Sequence, residues 1–257
     1  MLGFVKVQST EYGITNIGGQ VKQFLLKMEA PKNAPAMYAT VFREKLAKAS
    51  DLPAEFFHRD EAGIVGSCRT PVFRIVGGKT WTGILGTGEH SRDLLHAAIA
   101  PALDVCTKHY NQAIKVGIDS IDLHIKELET YKLYWVREMV VKNGTQGLTV
   151  RDLETFLAKK IKKSIGRQAV DSMLEGYLPS EMDIRVVSVD RQLGMRLQTS
   201  QGWTKQYVGL FNLTVAMPLN LKGMWFAGNL TSRGYGRIIP VNNYSAPASR
   251  IETGKDE

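Results

Sequence analysis

The sequence predicts an α+β fold, and three observations carry the prediction. Strand-like and helix-like segments mix in the first half, the composition changes at Gly147 where a long helix begins, and a strand-rich block fills the remainder. With 257 residues, 44% of them hydrophobic, the chain has room for one large domain or two small ones around a proper core.

In chain order, Phe24, Leu26 and Met28 alternate with Gln23, Leu25 and Lys27 at the period of a strand, and residues 30–35 break the run. Pro35 suits the first position of a helix, and Met37, Val41, Leu46 and Ala49 keep rough helical spacing until Asp51, Leu52 and Pro53 close it. Residues 54–70 read as a loop carrying His58 and Arg59. Val72–Val76 and Thr80–Leu85 read as strands joined at Gly77 and Gly78. Ser91 and Asp93 open an Ala-rich helix that Pro101 bends or breaks. Beyond Gly117, the alternation of Ile121, Leu123 and Ile125 and the apolar run from Leu133 to Val141 return to strand. Thr149 and Asp152 then form a capping-box-like start for a helix reaching about Glu175. Residues 183–190, 203–217 and 223–227 follow as strands, with turns at Gly194, Gly202 and Gly223, and the tail from Asn242 onward is polar and reads as loose.

The 33 Lys and Arg against 25 Asp and Glu give a net charge of +8, which favours a polyanionic partner, nucleic acid first and acidic membrane second; plain solubility would account for the charge equally well. Cys68 and Cys106 have neither zinc-site spacing nor the density of a disulfide scaffold, which fits a reducing compartment. No segment approaches the roughly eighteen apolar residues of a membrane span, and the N-terminus lacks the pattern of a signal peptide, so the expectation is a cytoplasmic protein with no membrane partner.

Two glycine motifs fall short of nucleotide fingerprints. GGKT at 77–80 has Phe73 where a phosphate loop needs its first glycine, and GTGEHS at 86–91 has Ser91 for the third dinucleotide glycine, with Glu89 where a pyrophosphate would sit. The five histidines show no ligand spacing and no accompanying acid cluster, so neither metal nor cofactor is expected. His58, in the polar stretch FFHRDEAG, is the better candidate for chemistry, whereas His96 and His124 sit among apolar neighbours.

The helix from Thr149 concentrates Lys159, Lys160, Lys162, Lys163 and Arg167 without an intervening acid, while Leu153, Phe156, Leu157, Ile161 and Ile165 form one apolar stripe. Such a helix can lie against a groove of duplex RNA; a solvated face and a membrane-surface helix are the alternatives. In GNLTSRGYGRII, residues 228–239, Gly228, Gly234 and Gly236 bare the backbone beside Arg233 and Arg237, a combination that suits a phosphate or ribose. A strand-ending turn with surface arginines fits the same residues.

The order of elements, the basic second half and the Arg-Gly-Tyr-Gly loop after a Trp-Phe strand together resemble the RAMP superfamily of CRISPR-associated proteins, and within it the endoribonucleases that cut CRISPR repeat transcripts. The PVFRIVGG segment and the basic helix resemble the branch attached to type IV systems. The resemblance implies two ferredoxin-like βαββαβ units: a first domain over 1–146, an inserted basic helical segment over 147–180 contacting RNA, and the remainder of the second unit with its glycine-rich loop over 181–257. It also implies metal-free cutting at the base of a repeat hairpin by the ribose 2′-hydroxyl, retention of the guide RNA, and other effector-complex subunits as partners. Relatives commonly place a histidine on the first helix; here that helix offers Tyr38, Arg43 and Lys45 instead. On the arginine pattern of some type IV relatives, Arg43 and Arg237 would flank the scissile phosphate, with His58 transferring a proton if its loop folds back. The remaining alternatives are a non-catalytic RAMP subunit that binds guide RNA and, with no finished phosphate loop or acid pair to support it, a metabolic enzyme.

Overall fold

Period-two alternation in strand β1 (Val21–Glu29) sends Phe24, Leu26 and Met28 to one face and Gln23 and Leu25 to the other, and both faces are covered. The computed structural model describes residues 21–49, 52–57, 59–60, 63–64, 72–142, 147–199 and 202–246. After β1 come helix α1 (Ala39–Ala49), a 3-10 turn (Ala54–Phe57), the short hairpin β2 (Arg59–Asp60) and β3 (Gly63–Ile64), the hairpin β4 (Phe73–Gly77) and β5 (Trp81–Thr87), and helices α2 (Glu89–Ala97) and α3 (Ile99–Tyr110). Strand β6 (Lys115–Val141), helix α4 (Val150–Asp171), and strands β7 (Arg185–Thr199), β8 (Gly202–Lys222), β9 (Trp225–Phe226) and β10 (Arg237–Ala246) complete the order.

Among the described strands, antiparallel pairing runs β4-β5-β1-β6-β10-β9, with β8 also on β6 and β7 on β8. β6 is the element both halves share. Its first part, Lys115 to Leu123, pairs with β1, and from His124 onward it pairs with β8. This α+β arrangement of antiparallel sheet and covering helices is that of tandem ferredoxin-like units.

Three cores follow. Helices α1, α2 and α3 cover Phe24, Leu26, Phe73, Ile75 and Ile84 in the first half. In the second, α4 inserts Leu157, Ile161, Ile165 and Ala169 among the residues of β6 and β8, forming one layer of that core. A smaller cluster of Leu25, Val76, Leu85, Met224 and Phe226 joins the two. Here two buried amides stand in for strand partners: the Gln23 Oε1 accepts from Met224 N at 2.8 Å, and the Gln168 Oε1 accepts from Phe226 N at 3.2 Å. Arg74 is buried beside them, over the Phe226 ring at 4.9 Å, and burial pushes its guanidinium down to about 10.

Several expectations need correction. Gly194 makes no turn but sits within β7 opposite Gly209, because the neighbouring residues keep pairing with β8. Asn242 belongs to β10, which continues to Ala246. The stretch read as loop from residue 54 contains the 3-10 turn and the β2–β3 hairpin. The helix break falls at Ala98; Pro101 lies inside the first turn of α3, where its missing N–H costs nothing. Cys106 is a buried core thiol, pushed up to about 11 by burial, and Cys68 lies outside the described residues.

Candidate active site

Phe226 lies opposite Arg237 and Trp225 opposite Ile238, so residues 227–236 must reverse the chain between β9 and β10. Three glycines with positive φ make this possible. At Gly236 a Cβ would overlap the Ala227 carbonyl, and at Gly234 it would stand 2.5 Å from the Ile75 carbonyl oxygen of β4. The bare backbone is therefore required by the protein's own chain. One end of the loop is held by the second half, where Gly228 N donates to Ser164 Oγ of α4 at 3.0 Å and Asn229 N to the Val140 carbonyl at 2.7 Å. The other end rests on β4 and α1 of the first half.

Where the loop meets the first half, a cleft of about 380 Å³ opens. Its walls are the segment from Pro35 to Thr40, the β4–β5 turn with Lys79, Arg137 and Glu138 of β6, Leu210 of β8, and Arg233 to Tyr235 with Arg237. Tyr110 at the end of α3 fixes the first wall, its hydroxyl accepting from Met37 N at 2.6 Å and donating to the Pro35 carbonyl at 3.0 Å. Tyr38, 77% exposed, offers an aromatic ring at this wall.

Among the described residues, four cations, Lys79, Arg137, Arg233 and Arg237, line this cleft with one carboxylate, Glu138. Arg137 and Arg237 are partners across the β6–β10 ladder, so like charges share a face. Burial first, then the Arg137 charge, hold the Arg237 guanidinium below its ordinary range, while its carbon Cζ lies over the Trp81 ring at 5.9 Å. Burial raises the Tyr235 hydroxyl, Glu138 adds to the rise and Arg233 opposes it. Adjacent guanidinium groups in a partly desolvated cleft favour an anion that can accept from both.

The family model of the type IV CRISPR-associated endonuclease Csf5 matches residues 21–243. The chain belongs to this family. It is 37% identical to a solved structure described as "Csf5, CRISPR-Cas type IV Cas6 crRNA endonuclease", with a TM-score of 0.75 over 86% of this chain and 99% of that one. A structure described as the CRISPR RNA processing endoribonuclease Cas6b has a TM-score of 0.55 at 12% identity, over 86% of this chain and 100% of its own, a likeness of fold alone. No curated protein sequence matches the chain. The Csf5 match makes this a type IV CRISPR repeat-processing Cas6-like protein, a member of a crRNA endoribonuclease family.

Within this Csf5-family chain the expected site residues separate. Arg237 and Arg233 line the cleft, together with Gly234. Arg43 is not among the lining residues: its Nη2 donates to the Phe57 carbonyl at 2.9 Å and its guanidinium lies over the Phe57 ring at 5.6 Å. His58, the next residue, lies outside the described residues. On α4, Lys159, Lys162 and Lys163 are exposed, while Lys160 and Arg167 are half-buried. Lys160 and Arg167 stand four before and three after Ser164, on the side that meets the loop, whereas Lys162 acts electrostatically on Asp183.

Sequence reasoning missed Arg137, Glu138, Tyr235 and Lys79. Arg137 and Glu138 sit inside an apolar strand run, and only their register opposite the loop brings them to it. Among the described residues, no group of His, Cys, Asp and Glu is placed to hold a metal ion, and no helix is long and apolar enough to cross a membrane.

Proposed function

We propose that this chain cuts CRISPR repeat transcripts at the base of a repeat hairpin without a metal ion and stays bound to the mature guide RNA, in the cytoplasm and in company with other effector subunits. The 2′-hydroxyl attacks the adjacent phosphorus, the bond from phosphorus to the 5′-oxygen breaks, and a cyclic phosphate and a free 5′-hydroxyl result. The observation that carries this reading is the cleft at the junction of the halves, where Arg137, Arg233 and Arg237 converge beside the glycine-rich loop. An internal nucleophile needs no activated water. What it needs is in-line orientation and positive charge on the phosphorane, and guanidinium forks supply both. Arg43 supports the reaction at one remove, because it holds the carbonyl of the residue before His58. The α4 cations and Arg233 hold the hairpin by its phosphates, with the loop glycines at 228, 234 and 236 shaping the path.

The test is cleavage of end-labelled repeat hairpins by purified protein in excess chelator. Cutting should persist there and stop with a single 2′-deoxy substitution at the cut. Cutting that chelator abolishes and Mg²⁺ restores would defeat the mechanism. Tight binding without any cutting would identify a guide-RNA-binding subunit instead.

A further inference from the structure

Attack by a 2′-hydroxyl needs a group that takes its proton, and arginine, whose pKa exceeds about 12, is a poor acceptor. Among the described residues, Glu138 is the carboxylate that lines the cleft. Its backbone is left-handed, with φ at 50°, a conformation uncommon for a non-glycine residue. The cause is a bulge in β6. Val136 pairs with Leu213 and Met139 with Phe211, so Arg137 and Glu138 together oppose Asn212 alone. Consecutive residues of a regular strand face opposite ways, yet here both Arg137 and Glu138 line the same cleft. The bulge is pinned from both sides: Glu138 N donates to Asn212 Oδ1 at 2.8 Å, and the Glu138 carbonyl accepts from Gly236 N at 3.2 Å. A left-handed non-glycine residue, held by a side-chain bond and turned toward a cationic cleft, is the kind of strain that functional sites retain.

We propose that Glu138 is the general base of this site, a reading that rests on the cleavage reaction above. Its carboxylate takes the proton of the 2′-hydroxyl as the bond from the 2′-oxygen to phosphorus forms. The electron pair of the breaking bond passes to the 5′-oxygen, which takes a proton from water, and Glu138 returns its own proton to solvent after the products form. Glu138 shares the cleft with groups suited to this. Arg137 Nε stands 3.6 Å from its carboxylate, Arg233 and Tyr235 come from the loop, Arg237 from β10, Lys79 from the β4–β5 turn, and Tyr38 from the segment entering α1. The cations bind the phosphate beside it.

The test is single-turnover cleavage of the hairpin by wild type, Glu138→Gln and Glu138→Gly, across pH. Glu138→Gln should slow cutting by roughly a hundredfold or more, the scale of a lost general base. It should also lose the rise of rate with pH that a carboxylate base gives at acid pH, and still bind a 2′-deoxy hairpin as wild type does. Glycine takes a positive φ freely, so Glu138→Gly should unfold at or above the wild-type midpoint while cutting as slowly as the glutamine variant. His58→Ala should keep the acid-side rise. Glu138→Gln cutting within a few-fold of wild type, a slow Glu138→Gln that keeps the acid-side rise, or a Glu138→Gly that unfolds early would each overturn the assignment. Wild-type protein that cuts no hairpin would sink the cleavage reading and the base together.

Discussion

The cleft and helix α4 are both cationic, and burial separates them. Arg237 is half-buried, desolvated enough for its guanidinium to fall below its ordinary range, and stands beside Arg137. Lys159, Lys162 and Lys163 on α4 are exposed. A charge in a partly desolvated cleft interacts strongly with a neighbour a few ångströms away, whereas exposed charges act through a screened field with a Debye length near 8 Å at physiological salt. On the function proposed above, the contrast would assign rate to the cleft and affinity to the helix.

The sharpest attempt to break this division is Arg237→Ala. Single-turnover cutting should fall by roughly a hundredfold or more, the scale of one lost transition-state donor, with little change in hairpin affinity. Lysine should restore only part of the rate, since a point charge lacks the two-donor fork. A normal rate for Arg237→Ala would leave the loop a purely binding role.

Gly234→Ala should blur the contrast. A methyl group 2.5 Å from the Ile75 carbonyl, on a residue with φ at 86°, forces the loop off the first half. Stability should drop by roughly 1–3 kcal/mol, read by denaturant titration, and binding and cutting should weaken together. Loss of rate alone, at unchanged stability and affinity, would show that the loop moves independently of its seat.

The smallest effects sharpen the helix side. Lys160→Ala with Arg167→Ala should flatten the salt dependence of hairpin binding by about one unit per lost phosphate contact, lower affinity a few-fold, and leave the rate on bound RNA unchanged. Lys162→Ala, on the Asp183 side, should do less. Equal salt slopes for both variants and wild type would make α4 a solvated face.

Where local chemistry is strong, the fold was legible. The alternation of Phe24, Leu26 and Met28 and the Thr149 cap appear as read, the Thr149 Oγ1 accepting from Asp152 N at 3.2 Å, and the β4–β5 hairpin forms with its turn at residues 78–80, Gly77 still pairing with Thr82. Gly194 misled because a glycine inside a paired strand looks the same in sequence as one in a turn. At the site, Arg233 and Arg237 were legible because glycines flag their loop. Arg43 was placed by the resemblance to arginine-using type IV relatives, and a position on the first helix cannot reveal that its guanidinium turns to the Phe57 carbonyl.

The sequence by itself determined the α+β class, the amphipathic basic helix and the arginine-bearing loop, all of which depend on neighbours a few residues apart. Tertiary structure decided which cations meet. Arg137 faces Arg237 because β6 and β10 pair in one register, and Glu138 joins them because a bulge places two residues opposite Asn212. Even the glycines depend on distant partners: Gly234 must be bare because the Ile75 carbonyl, far away in the chain, comes to rest against it. Register and close approach are set by packing across the whole molecule, and a short window of sequence does not contain them.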